Sequence, residues 1–169
     1  MNDTRRLIVL GLFVAVAGVL HAVEAWLPLP VPVPGVKLGL ANIVSLVVIV
    51  LYGWRDALAV AVVRVILGTL LGGVFLGPAF ALGLSGAAAS TLAMAWAWSR
   101  WRPALSLVGI SVLGAAVHNL AQLGTAAVLV SSATVLWYLP YLLLFALPTG
   151  LATGFTAGYF LTKLPRAGS

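Results

Sequence analysis

Long apolar runs separated by short polar breaks dominate the chain, at roughly 7–27, 38–54, 57–76, 79–98, 104–130 and 136–162. Each is rich in Ala, Leu, Val and Gly, and none alternates with the period of two that a transmembrane barrel strand needs. In lipid a segment must satisfy its own backbone hydrogen bonds, and a helix does so internally. The pattern therefore predicts an all-α integral membrane protein: a single six-helix transmembrane domain over residues 1–169.

The breaks carry the cations. Arg5 and Arg6 precede the first run, Arg55 lies between the second and third, Arg100 and Arg102 between the fourth and fifth, and Lys163 and Arg166 follow the sixth. An even number of helices puts all of them on one side, which the positive-inside rule makes the cytoplasm. Both termini are then expected to be cytoplasmic. Arg5 and Arg6 before an apolar run suggest a signal peptide, but the run is longer than a signal core and reads as a retained helix. Lys37 and Arg64 do not fit the topology and call for another role.

Composition sharpens the picture. The chain is 63% hydrophobic and 7% charged, with mean hydropathy +1.17, against roughly 25% charged in soluble domains. The net charge of +6 has no basic patch with interleaved aromatics behind it, so no nucleic-acid partner is expected. There is no cysteine. Asp3, Glu24 and Asp56 are the only carboxylates, too few and too scattered for a magnesium–diphosphate site. Asp56 reads as a turn partner of the adjacent Arg55. Walker, zinc and triad spacings are missing. The chain is therefore expected not to be an enzyme, with no catalytic residue, no cofactor and no metal.

The polar positions inside the apolar runs are the candidate chemistry. Gly35 and Gly39 bracket Lys37 after a strap, Trp26 to Pro34, with proline at alternate positions, and Asn42 falls about a turn into the second helix. The strap either covers a cavity or only connects two helices. His21 and Glu24 are neighbours near the outer end of the first helix. Gly11, Ala15, Gly18, Ala22 and Ala25 form one small-residue stripe on that helix, suited to internal packing or to a partner. Arg64 either snorkels or points inward beside Gly68 and Gly72. The fourth helix begins at Gly77-Pro78 and carries Ser85, Gly86, Ser90 and Thr91; the fifth carries His118, Asn119 and Gln122. The sixth opens with Trp137, Tyr138 and Tyr141, is bendable at Pro140 and Pro148, and presents Gly150, Gly154 and Gly158 on one face.

The segments at 34–44 (PGVKLGLANIV), 64–68 (RVILG), 84–86 (LSG) and 114–122 (GAAVHNLAQ) resemble the bacterial membrane family labelled heptaprenyl diphosphate synthase component I, also called the Gx transporter family. The likeness runs from about residue 7 to 162. That family in turn resembles the S-components of energy-coupling factor (ECF) vitamin transporters. The resemblance implies an S-component-like bundle in a bacterial inner (plasma) membrane, working with an ECF transmembrane coupling subunit and two ATPase subunits. It implies docking of the partner on the stripe Gly11, Ala15, Gly18, Ala22 and Ala25. It also implies a small-molecule substrate bound near the outer face, which the polar positions turn into a candidate set: Lys37, Asn42, Arg64, His118, Asn119, Gln122 and Glu24. Trp137, Tyr138 and Tyr141 would wall the ligand body. Intramembrane cations outnumber the one acid, which favours an anionic or polar-headed ligand. A Lys37–Glu24 ion pair stapling two helices is the plain alternative for that locus. At the level of function, the alternatives are a non-catalytic subunit or scaffold of an isoprenoid diphosphate synthase and a self-sufficient carrier.

Overall fold

A computed structural model describes residues 3–26 and 40–164. The described residues form α1 (Asp3–Trp26), α2 (Asn42–Tyr52), α3 (Trp54–Leu71), α4 (Pro78–Arg100), α5 (Leu107–Val130), a 3-10 turn (Ala133–Tyr138) and α6 (Leu139–Lys163), with no strand among them. Four stretches are long and apolar enough to cross a membrane: Asp3–Glu24, Pro78–Arg100, Leu107–Val130 and Ala133–Lys163. The other two helices differ from the expected spans for local reasons. Gly53, at φ +92°, stops α2, and its N–H closes on the carbonyls of Val48 and Ile49. Eleven residues make a helix only about 16 Å long at the α-helical rise. Asn42 opens α2 rather than sitting a turn inside it. The 18-residue α3 carries Arg55, Asp56 and Arg64.

The shortest helix is the centre of the bundle. Val44, Leu46, Val47, Val48 and Ile49 of α2 are buried, and α2 packs against all five other α-helices. A helix apolar on every side has no face to offer water, so burial on all sides suits it. The outer faces of its neighbours stay apolar and exposed, among them Leu7, Leu12, Val19, Leu120, Val128 and Phe155, as lipid contact demands. Trp137 is 80% exposed and Tyr141 also points outward. Both suit an interfacial belt. Tyr138 packs with Leu123 and Leu142.

Glycines set the spacing between helices. A Cβ on Gly150 would come 2.5 Å from Val112 Cα, and one on Gly154 2.7 Å from Val108 Cα. The glycine face of α6 is thus pressed onto the α5 backbone, where the hydroxyls of Ser111 and Thr153 also meet at 2.5 Å. Gly77-Pro78 starts α4 as expected. Pro140 falls in the first turn of α6, and the helix continues through Pro148. There the Thr149 hydroxyl donates to the Phe145 carbonyl at 2.7 Å, the i−4 contact common for threonine inside a helix.

Arg6 makes a two-pronged ion pair with Asp56, at 2.7–3.0 Å, tying the start of α1 to the start of α3. Asp56 therefore does not pair with Arg55, whose guanidinium lies 5.4 Å from the Trp54 ring centroid. A hollow of about 380 Å³ is lined by Val50, Trp98, Arg102 and Leu161, which brings the ends of α2, α4 and α6 together.

Candidate functional site

The buried polar groups converge where α1 to α4 meet. At the start of α2, the Asn42 side-chain carbonyl accepts from Arg64 Nη2 of α3 at 3.3 Å and from Ser90 Oγ of α4 at 3.4 Å. Arg64 is only 3% exposed, so it does not snorkel. Glu24 of α1 is equally buried. It accepts from the Leu40 N–H at 3.3 Å, and its negative charge acts on the Arg64 guanidinium. A buried guanidinium is tolerable only with such partners, because desolvating it costs several kcal/mol.

Gly68 makes the approach of α1 possible. The His21 ring lies over it, with Cδ2 3.1 Å from where a Cβ would sit. Beside this contact, α1 and α3 enclose a cavity of about 640 Å³ whose lining includes Arg64, His21, Gly68 and Gly72. Gly68 and Gly72 line this cavity together with Arg64, while the His21 ring takes the place that a Gly68 side chain would fill. Arg64 Nε, Asn42 Nδ2, Ser45 Oγ and Thr91 Oγ1 are buried without a hydrogen-bond partner among the described residues. Such groups carry an unspent donor capacity that a bound polar group relieves.

The α5 residues are placed differently. His118 and Gln122 face α4 at Gly86, where an added Cβ would come within 2.9 and 2.8 Å of them. Asn119 turns towards α6 and donates to the Leu142 carbonyl at 2.7 Å. None of the three is among the residues lining the α1–α3 cavity. The structure thus joins Glu24, Asn42 and Arg64, sets His118 and Gln122 on the α4–α5 seam, and gives Asn119 a helix-tying contact. Lys37, with Gly35, Gly39 and the strap after Trp26, lies outside the described residues.

The α1 stripe is not used for packing inside the described bundle. Gly11, Ala15 and Ala22 are exposed, Gly18 is half-buried, and a Cβ at Gly11 or Gly18 would touch nothing within 4 Å. Ala15, Gly18 and Ala22 instead line the cavity; the side chain of Ala25 is outside the described set. Sequence reasoning missed the Ser90–Asn42 contact and the participation of Thr69, whose hydroxyl donates to the Val65 and Ile66 carbonyls. Serine and threonine at helical spacing announce neither. No group of three metal-ligating side chains occurs among the described residues.

A bundle with an apolar exterior, four helices fit to cross a membrane and a charged junction at its centre is built as a membrane protein. The chain belongs to the heptaprenyl diphosphate synthase component I family, whose sequence model matches residues 13–160. That description names one component of an enzyme complex and implies a partner subunit. A comparison with curated proteins finds no match.

Proposed function

We propose that this chain is the non-catalytic, substrate-binding membrane subunit of an ECF-type importer, for a small molecule with a polar or anionic head. It crosses a bacterial inner (plasma) membrane six times with both termini cytoplasmic. It works with a transmembrane coupling subunit and two ATPase subunits. The observation that carries this reading is Arg64: a guanidinium deep in an apolar bundle, with Nε unpartnered among the described residues, lining a cavity. Intramembrane ionisable groups mark binding or transport paths. The proposed topology is supported by the Arg6–Asp56 pair, which places the first helix start and the α2–α3 junction at one end. Glu24, Asn42 and Arg64 form the charged part of the site. Lys37, His118, Asn119 and Gln122 complete the proposed set.

A second reading, a non-catalytic membrane subunit of an isoprenoid diphosphate synthase, is favoured by the family description. Gentle purification followed by small-molecule mass spectrometry and identification of bound proteins separates the two. The importer reading expects a retained small molecule that is lost in Arg64→Gln and in Lys37→Met, both of which still insert and purify. A soluble prenyltransferase co-purifying with no small molecule would overturn it in favour of the second.

A further inference from the structure

We infer that the hollow between the ends of α2, α4, α5 and α6 holds the phosphate headgroup of an anionic phospholipid, with Arg102 as its anchor. The site is separate from the Arg64 junction. It needs neither the importer nor the synthase reading, only a bundle seated in lipid.

Position comes first. Val50, Trp98, Leu107 and Leu161 wall the hollow, and its polar members, Arg102 and Ser106, are exposed. It lies where α2, α4 and α6 end and α5 begins. The Arg6–Asp56 pair brings the start of α1 to the α2–α3 junction. Arg5, Arg6, Arg55, Arg100, Arg102 and Lys163 therefore crowd one end of the bundle. The whole chain has three carboxylates to set against them. Of these, Asp56 is taken by Arg6, and Glu24 is buried near the other end of α1. An end with this excess of positive charge attracts anionic lipid. Trp54, Trp96 and Trp101 are exposed at the same end. Exposed tryptophan settles at headgroup level, so the hollow opens at the depth where lipid phosphates lie.

Chemistry fixes the anchor. The Arg102 guanidinium carbon sits 4.0 Å from the Trp98 ring centroid. Stacking covers one face of the guanidinium and leaves its N–H edge open. Among the described residues no carboxylate or carbonyl takes that edge. A planar fork of donors matches the oxygens of a phosphate. The volume of about 380 Å³ is at the low end of the ~300–1,000 Å³ of small-molecule sites, room for a head but not for two acyl chains. Leu51 beside Val50 and Phe160 beside Leu161 are exposed, and they give those chains an apolar track outside the hollow. A free phosphate ion has no use for such a track.

The test uses the full chain purified in mild detergent and native mass spectrometry, with phosphatidylglycerol or phosphatidylcholine added in steps. The first phosphatidylglycerol is expected to bind about tenfold more tightly than the first phosphatidylcholine. Arg102→Gln should remove that preference. Arg102 is exposed, so the fold should survive, and thermal melting without lipid checks it. Gly158→Leu keeps every charge and puts a side chain on the lining. A Cβ there comes no nearer than 3.7 Å to Leu107 Cδ2, so the helix spacing is kept, and phosphatidylglycerol binding should weaken about tenfold. Arg55→Gln removes a charge from the same end but off the lining, and should leave the affinity within about twofold. Equal affinity for the two lipids, or undiminished binding in Gly158→Leu, overturns the inference. Equal losses in Arg55→Gln and Arg102→Gln also overturn it, since diffuse surface charge would then suffice. Displacement of the lipid by excess inorganic phosphate would assign the hollow to a soluble anion instead.

Discussion

Replacing Arg64 with Met removes the positive charge from the centre of a four-helix junction. The guanidinium donates to Asn42, a charged hydrogen bond of the kind worth about 1.5–3 kcal/mol, and the buried carboxylate of Glu24 attracts it electrostatically. Breaking a buried charge pair from one side costs about 3–5 kcal/mol, a large part of the ~5–15 kcal/mol that holds a typical fold together. Glu24→Gln removes the other charge. In the double variant both buried charges of the described junction are gone, so part of the loss should be recovered, with a coupling of about 1–3 kcal/mol. The Leu40 N–H still has a side-chain oxygen to donate to, so the recovery does not depend on losing that contact. The assay is reversible unfolding in mixed SDS–detergent micelles, followed by tryptophan fluorescence, for wild type, both single variants and the double. Additivity of the single effects within about 0.5 kcal/mol would refute the pairing.

Two further outcomes follow from the packing and the surface. Gly150→Ala should destabilise by about 3 kcal/mol, because the new methyl meets α5 backbone. Gly114→Ala, whose methyl would instead meet the Met94 side chain at 2.5 Å, should cost about 1 kcal/mol since a thioether repacks; thermal unfolding of the two variants in one detergent compares them directly, and equal losses would contradict the distinction. Asp56→Asn removes the Arg6 ion pair, whose arginine side chain is 47% exposed, and should cost at most about 1 kcal/mol, a difference that shrinks in high salt.

Much of the bundle was legible along the chain. The apolar runs foretold all six α-helices, Gly77-Pro78 marked the start of α4, and the glycine face of α6 announced a close helix contact. Gly68 and Gly72 beside Arg64 pointed to an inward guanidinium, and it is buried. Partners were not legible. Asp56 was assigned to its neighbour Arg55 because adjacency is all that a linear chain offers, yet it reaches Arg6 from fifty positions away. His118, Asn119 and Gln122 looked like one polar group, but Asn119 bonds α6 while the other two face α4.

The chain by itself determined that these segments are helical, that their outsides are apolar, and that a cation sits inside one of them. Hydropathy and period act locally, within one helix, so a single chain suffices to state them. Only the tertiary structure decided that the short α2 is the hub, that Asn42 and Arg64 meet beside the buried Glu24, and that an open space lies between α1 and α3. Those outcomes depend on the rotation and spacing of helices against each other, which glycine contacts and buried charge set jointly and no one segment encodes alone.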